Sequence, residues 1–169
     1  MQAVAEQLRE HGKTSWRLNV RSSNQAAIAL YQGLGLRTAY VARALRLPWS
    51  GLAMLPLGSA EVCEVSAERI SEVERRFELP RGQLAQARRI GRLLFEASSG
   101  SARELVGLSA FDPKFPGAFP FRVRELDVAA PLLKAMRRYV PTDDHVHLVA
   151  ENDERLSDLL CRAGATTKD

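Results

Sequence analysis

Tyr31 and Asn24 are the pair of residues with the clearest chemical potential. Tyr31 carries a phenol, which keeps its proton at neutral pH, on the same helical stripe as Ala27, Leu30 and Leu34, with its hydroxyl at the rim. Asn24 lies seven residues earlier, two helical turns away and on roughly the same face. Its side chain can cap a helix or meet a ligand. Two other groupings invite a chemical reading. His145 and His147 stand at i and i+2 on one strand face, with Asp143 and Asp144 just before, a spacing that suits a metal pair. An internal repeat places Arg17 and Asn19 at the same two positions, so a polar strand face explains them better and no metal is expected. Arg88, Arg89 and Arg92, with Arg75, Arg76 and Arg81 nearby, could hold an anion or form a solvated helix face. No aromatic residues interleave with them as single-stranded nucleic acid requires, and no nucleic-acid partner is expected.

The elements that position Asn24 and Tyr31 follow from the pattern around them. Trp16, Leu18 and Val20 alternate with Arg17 and Asn19, which predicts a half-buried strand. Ser22, Ser23 and Asn24 are good helix caps. Ala27, Leu30, Tyr31 and Leu34 follow at i, i+3, i+4 and i+7, one face of a helix. Gly33 and Gly35 stop it. Leu36 to Leu47 then reads as a strand or bent hairpin, closed by Pro48.

Composition bounds the rest. The 169 residues suit one domain, or one domain and a fragment, and 46% hydrophobic residues are enough for a packed core. The formal charge of +4, from 24 basic and 20 acidic residues, is mild and interspersed. Cys63 and Cys161 are far apart and form neither a metal spacing nor a disulfide framework. Reduced thiols, no secretion signal and no long apolar span predict a cytoplasmic protein without a membrane partner.

An internal repeat organises the chain. Leu132, Leu133 and Met136 on a helix, Val146 and Leu148 on a strand, Asn152 and Asp153 at a cap, Leu156, Leu159 and Leu160 on a helical stripe and Gly164 at a stop form the second copy. In the first copy Val4, Ala5 and Leu8, Leu18 and Val20, Asn24, then Ala27, Leu30 and Tyr31, and finally Gly35 take those roles. So long a period predicts a duplicated domain, not a solenoid. Between the copies, Ser50 to Ala60 reads as a linker and Glu61 to Val65 as a strand. Ser66 is expected to cap a helix to Arg76, and a second helix runs from Gln83 to Ile90. Leu93 to Ala97 and Glu104 to Phe111 read as a hairpin, and Phe119 to Val123 as a strand that Pro120 makes irregular or an edge. A helix from Val128, a strand from His145 and a helix from Asp153 complete the order.

The run Asn24-Gln25-Ala26-Ala27-Ile28-Ala29-Leu30-Tyr31, followed by Gly33, Gly35 and apolar Leu36, closely resembles the last helical motif of the GNAT acyltransferases. The element order is similar to the GNAT fold over nearly the whole chain, and the two copies look like a tandem GNAT protein. This resemblance implies an α/β (α+β) fold with a mixed, mostly antiparallel sheet flanked by helices. It implies that residues 1–49 are the C-terminal part of one GNAT domain, 50–60 a linker, and 61–169 a diverged GNAT-like domain lacking its last strand, within a longer parent. The Tyr40 to Leu47 strand is expected to add to the second domain's sheet, within the chain or across a symmetric homodimer.

The activity the resemblance implies is transfer of an acetyl group from acetyl-CoA to an amine of a small molecule or peptide. It assigns Tyr31 as the catalytic proton donor to the departing thiolate and Asn24 to cofactor binding. The rival reading is a non-catalytic GNAT-like module for structural support, dimerisation or substrate capping. In the family a glycine-containing loop at a helix N-terminus holds the CoA pyrophosphate. The equivalent stretch here, Arg122 to Ala130, has no glycine, and Asp127 is expected to cap the helix there. Leu160 stands where Tyr31 stands in the first copy and cannot donate a proton. Weak or absent acetyl-CoA binding by this chain follows.

Overall fold

The computed structural model describes residues 2–12 and 16–167, so Lys168 and Asp169, the end of the expected 61–169 domain, lie outside the described residues. The chain divides into two compact units, Met1–Ala39 and Tyr40–Asp169.

The first unit holds helix α1, Gln2–Glu10, and helix α2, Gln25–Gly33. The strand expected over Trp16 to Val20 does not form. Alternation selects a face, but a strand ladder also needs the N–H and C=O groups of a neighbouring strand. The described residues of this unit offer none.

The second unit is one seven-stranded sheet with helices packed on it. In chain order its elements are β1 (Ala42–Pro48), a 3-10 turn at Trp49–Met54, β2 (Glu61–Glu64), α3 (Ile70–Arg76), α4 (Gln83–Arg89), β3 (Leu93–Ser99), β4 (Glu104–Asp112), β5 (Gly117–Val123), α5 (Ala129–Arg137), β6 (His145–Glu151), α6 (Glu154–Arg162) and β7 (Thr166–Thr167). The strand order is β2-β3-β4-β5-β6-β1-β7. Every neighbouring pair is antiparallel except β5 and β6. The strand expected over Tyr40 to Leu47 adds to this sheet within the chain, pairing with β6 from Ala42 opposite Glu151 to Pro48 opposite His145.

Alternation interrupted by a bulge sets the layers: Ala97 faces Gly107 and Ser98 faces Leu105, so β4 changes phase at Val106. Along β4, Leu105, Leu108 and Ala110 join Val73, Leu84 and Ala87 of α3 and α4 in one core. Val106 and Phe111 join Leu132, Leu133 and Met136 of α5 in a second core that also holds Leu45, Leu47, Leu156 and Leu160. Within residues 50–60, Gly51 and Leu55 are buried, as is Trp49 just before them.

Two local expectations are corrected and a third is decided. Ser66 caps no helix: α3 begins at Ile70, and the Ser66 hydroxyl is taken by Glu68, a bond that lowers that carboxyl below its ordinary range. Asp127 does not cap α5; it lies in a 3-10 turn, Leu126–Val128, and α5 starts at Ala129 with no side-chain cap. Of the two readings offered for Pro120, irregular or at an edge, the first holds: it lies in an inner strand, at an irregularity. Between Ser109 opposite Phe121 and Phe111 opposite Ala118, two residues of β5 face one of β4. Proline, with no N–H to contribute, falls at this bulge.

Candidate functional site

The single parallel pairing in the sheet is brief. Gly117 pairs with His147 and Ala118 with Leu148, and beyond those positions β5 and β6 part company. The gap between them is a wedge of about 420 Å³ lined by Phe121, Arg122, Val123, Glu151, Asn152 and Asp153, with Arg76, Phe77, Glu78 and Arg124 at its outer side.

An ion pair spans this wedge. Arg122 on β5 donates to Glu151 on β6, whose residue is only 7% exposed. The Arg122 side chain is itself one-third exposed, so the pair is partly open to solvent and joins the two strands locally. Arg124 is held at the rim: its guanidinium donates to the Arg76 carbonyl at 3.2 Å and lies over the Phe77 ring at 5.8 Å. The sequence pattern hid the pair. Val146, Leu148 and Ala150 face inward on β6 by simple alternation, and Glu151 is buried out of phase with them. Arg122 and Arg124 in alternation were the sole available sign.

The helix start beside the wedge is no anion cradle. Val128, Ala129 and Ala130 are buried. Gly58 passes so close that a Cβ there would overlap the Asp127 carbonyl. A phosphate site at a helix start needs free N–H donors open to the ligand. The residues present therefore do not fit acyl-CoA in this wedge: a protein ion pair spans it, and the neighbouring helix start is covered.

The two sequence-selected residues lie on α2. The Asn24 side chain accepts the Ala27 N–H at 3.1 Å, a helix cap. Tyr31 is partly exposed, and α2 has no buried residue. The corresponding helix α6 repeats this geometry 129 positions later (153 − 24). Asp153 accepts the Leu156 N–H at 2.8 Å. At the far ends, the Leu36 N–H donates to the Tyr31 carbonyl at 3.0 Å and the Ala165 N–H to the Leu160 carbonyl at 2.9 Å. Gly35 and Gly164 then take the left-handed conformation, φ +84° and +93°, which ends each helix. Leu160, the counterpart of Tyr31, is 0% exposed.

The two histidines and Arg88, Arg89 and Arg92 have structural partners. The Nε2 atoms of His145 and His147 are 3.2 Å apart, Arg46 meets His145 Nδ1 at 3.1 Å, and Phe115 stacks on His147. Among the described residues no group of three or more His, Cys, Asp or Glu is placed to hold a metal. Arg88 donates to the Val65 carbonyl, Arg89 to Gln86, and Arg92 to the Phe119 carbonyl at 2.9 Å. A further buried carboxylate, Glu96, is held by Arg69 at 2.8 Å. Partial burial, then the Glu96 charge, pushes the Cys63 thiol above its ordinary range, which keeps it protonated and a poor nucleophile. Among the described residues no helix is long and apolar enough to cross a membrane.

No protein-family model matches the chain, and no curated protein matches it. Solved structures do. The chain is similar to a tandem GNAT protein from the clavulanic acid biosynthesis pathway, with TM-score 0.56 and 16% identity over 99% of this chain and 65% of that one. It is similar to a Drosophila protein, TM-score 0.55 and 16% identity, over 89% of this chain and 56% of that one. It is also similar to a probable N-acyltransferase from Enterococcus faecalis V583, TM-score 0.56 and 12% identity, over 83% of this chain and 40% of that one. The chain has a GNAT-like fold: a mixed, mostly antiparallel sheet flanked by helices. It spans 65%, 56% and 40% of the length of these three structures.

Proposed function

We propose that residues 40–167 are a non-catalytic GNAT-like support module. In the same reading, acetyl transfer from acetyl-CoA to the amine of a small molecule or peptide belongs to the domain that contains α2. The observation that carries this reading is the helix seen twice. Both copies have the same cap and the same glycine stop, but α2 presents the Tyr31 phenol where α6 buries Leu160. A phenol can donate a proton and a leucine cannot. Tyr31 is then the proton donor, and Asn24 stands on the cofactor side of the same helix. The Arg122–Glu151 pair across the wedge supports the support role of the second unit.

Two measurements test this. In an amine acetylation assay of an active longer parent that carries these residues, Tyr31→Phe lowers turnover and leaves the KM for acetyl-CoA nearly unchanged, since proton donation alone is lost. An unaltered turnover reduces Tyr31 to a packing residue. In a calorimetric titration, the second unit contributes no acetyl-CoA site tighter than about 1 mM, an affinity worth roughly 4 kcal/mol. A micromolar affinity that Arg122→Ala abolishes would place the carrier in the wedge and overturn the support reading.

A further inference from the structure

Three consecutive residues at the mouth of the wedge face three different elements. The Glu151 side chain pairs with Arg122 of β5, while its backbone stands opposite Ala42 of β1. Asn152 reaches the residue just before β1. Its N–H donates to the Val41 carbonyl at 2.9 Å, and its Oδ1 accepts the Val41 N–H at 3.0 Å. Asp153 caps α6. Both backbone polar groups of Val41 are thus bonded to one residue. The Val41 side chain is 65% exposed, so the seat is made by the main chain and not by apolar packing.

Asn152 holds an uncommon backbone conformation, φ +48°. Asparagine tolerates it better than most residues, but it persists only where the surroundings fix it from both sides. Here they do. On one side Glu151 is anchored through the buried ion pair, and on the other Asp153 is anchored through the helix cap. If Glu151 swings away from Arg122, the turn loses one anchor and Oδ1 loses its aim at Val41.

We infer that the Glu151-Asn152-Asp153 turn is a lock: the ion pair that spans the wedge also holds Asn152 in the conformation that seats the start of strand β1. The inference rests on the reading of the wedge as a closed support element. It names what is supported, the strand that carries the chain from α2 into the sheet. Whatever draws Arg122 away from Glu151, a competing carboxylate or phosphate included, releases that strand's first residues.

Amide hydrogen exchange on the full chain tests the lock. Arg122→Met and Glu151→Gln raise exchange at the Val41 amide about tenfold, the scale of one lost hydrogen-bonded contact, while Val106 to Ala110 of β4 exchange as before. Asn152→Gly raises it similarly, and Asn152→Asp, which keeps the acceptor oxygen, restores protection. Unchanged exchange at Val41 in both Arg122→Met and Glu151→Gln overturns the lock. So does a uniform rise across the whole sheet in both, which would make the pair a general stability element. Titration of the unaltered chain with acetyl-CoA separates this inference from the reading beneath it. Micromolar binding in the wedge sinks the support module, whereas the lock stands or falls on Val41 in the variants alone.

Discussion

Helices α2 and α6 share one local design in two settings. Each spans nine residues, opens on a capping side chain that accepts from the third residue on, and closes on a glycine at positive φ. In the second unit that design buries Leu156 and Leu160 against the sheet. In the first unit no residue of α2 is buried, and Leu30 stands 60% exposed. The difference teaches that cap, stripe and stop suffice to write a helix into the chain but do not decide what the helix is for. The setting converts one copy into a core element and leaves the other with a phenol and an apolar stripe on view.

The comparison breaks most decisively at its apolar positions. Leu160→Ala should lower the stability of the second unit by about 2–5 kcal/mol, because a fully buried side chain is lost and a cavity remains. Leu30→Ala should stay within about 0.5 kcal/mol. Chemical denaturation of the two variants checks this, and equal losses would mean that α2 is packed as α6 is. Gly58→Ala comes next. A methyl group there meets the Asp127 backbone, so the segment must shift, at about 1–3 kcal/mol in the same denaturation experiment. A neutral outcome would mean that the helix start at Ala129 is less closely covered than described.

The caps should behave differently in the two settings. Asp153→Ala removes about 1 kcal/mol from the second unit as a whole, since α6 is part of its core. Asn24→Ala makes the same local change, but the loss should appear only as faster amide exchange within α2. A shift of the second unit's unfolding midpoint by Asn24→Ala would show that the two helices are not independent.

The smallest effect concerns β2 and β3, which have no counterpart among the described residues of the first unit. The Cys63 thiol, raised above its ordinary range by partial burial and by Glu96, should alkylate more slowly at pH 8 than an unstructured thiol. Glu96→Gln should speed it by removing the neighbouring negative charge. Equal rates in the two proteins would leave burial alone as the cause.

Much of the second unit was legible because its signals are local. The 3.6-residue stripes of α5 and α6, the hairpin of β3 and β4 and the Asp153 cap all lie within a few residues of the chemistry that produces them. Ser66 and Asp127 show the limit of the same logic. Both are good capping residues, but one hydroxyl is claimed by Glu68 and the other residue is absorbed into a 3-10 turn. At the candidate site the positions of Asn24 and Tyr31 on one helix could be read directly, and so could the missing glycine between Arg122 and Ala130. The ion pair between Arg122 and Glu151 could not, because its partners are 29 positions apart and Glu151 is out of phase with the inward face of its strand.

By itself, then, the sequence determined where α2 and α6 start and stop, which residues alternate, and which of those two helices carries a phenol. All of these depend on backbone conformation and neighbours a few residues away. The tertiary structure decided the rest. It gave Ala42–Pro48 a place beside β6 and left Trp16 to Val20 without a strand, although both segments are written as strands. It parted β5 from β6 and then bridged them with a buried ion pair. A strand exists only when another strand supplies its hydrogen bonds, and a buried carboxylate needs an opposite charge or hydrogen-bond donors brought to it. Both conditions are met by residues distant in the chain, so local pattern does not encode them.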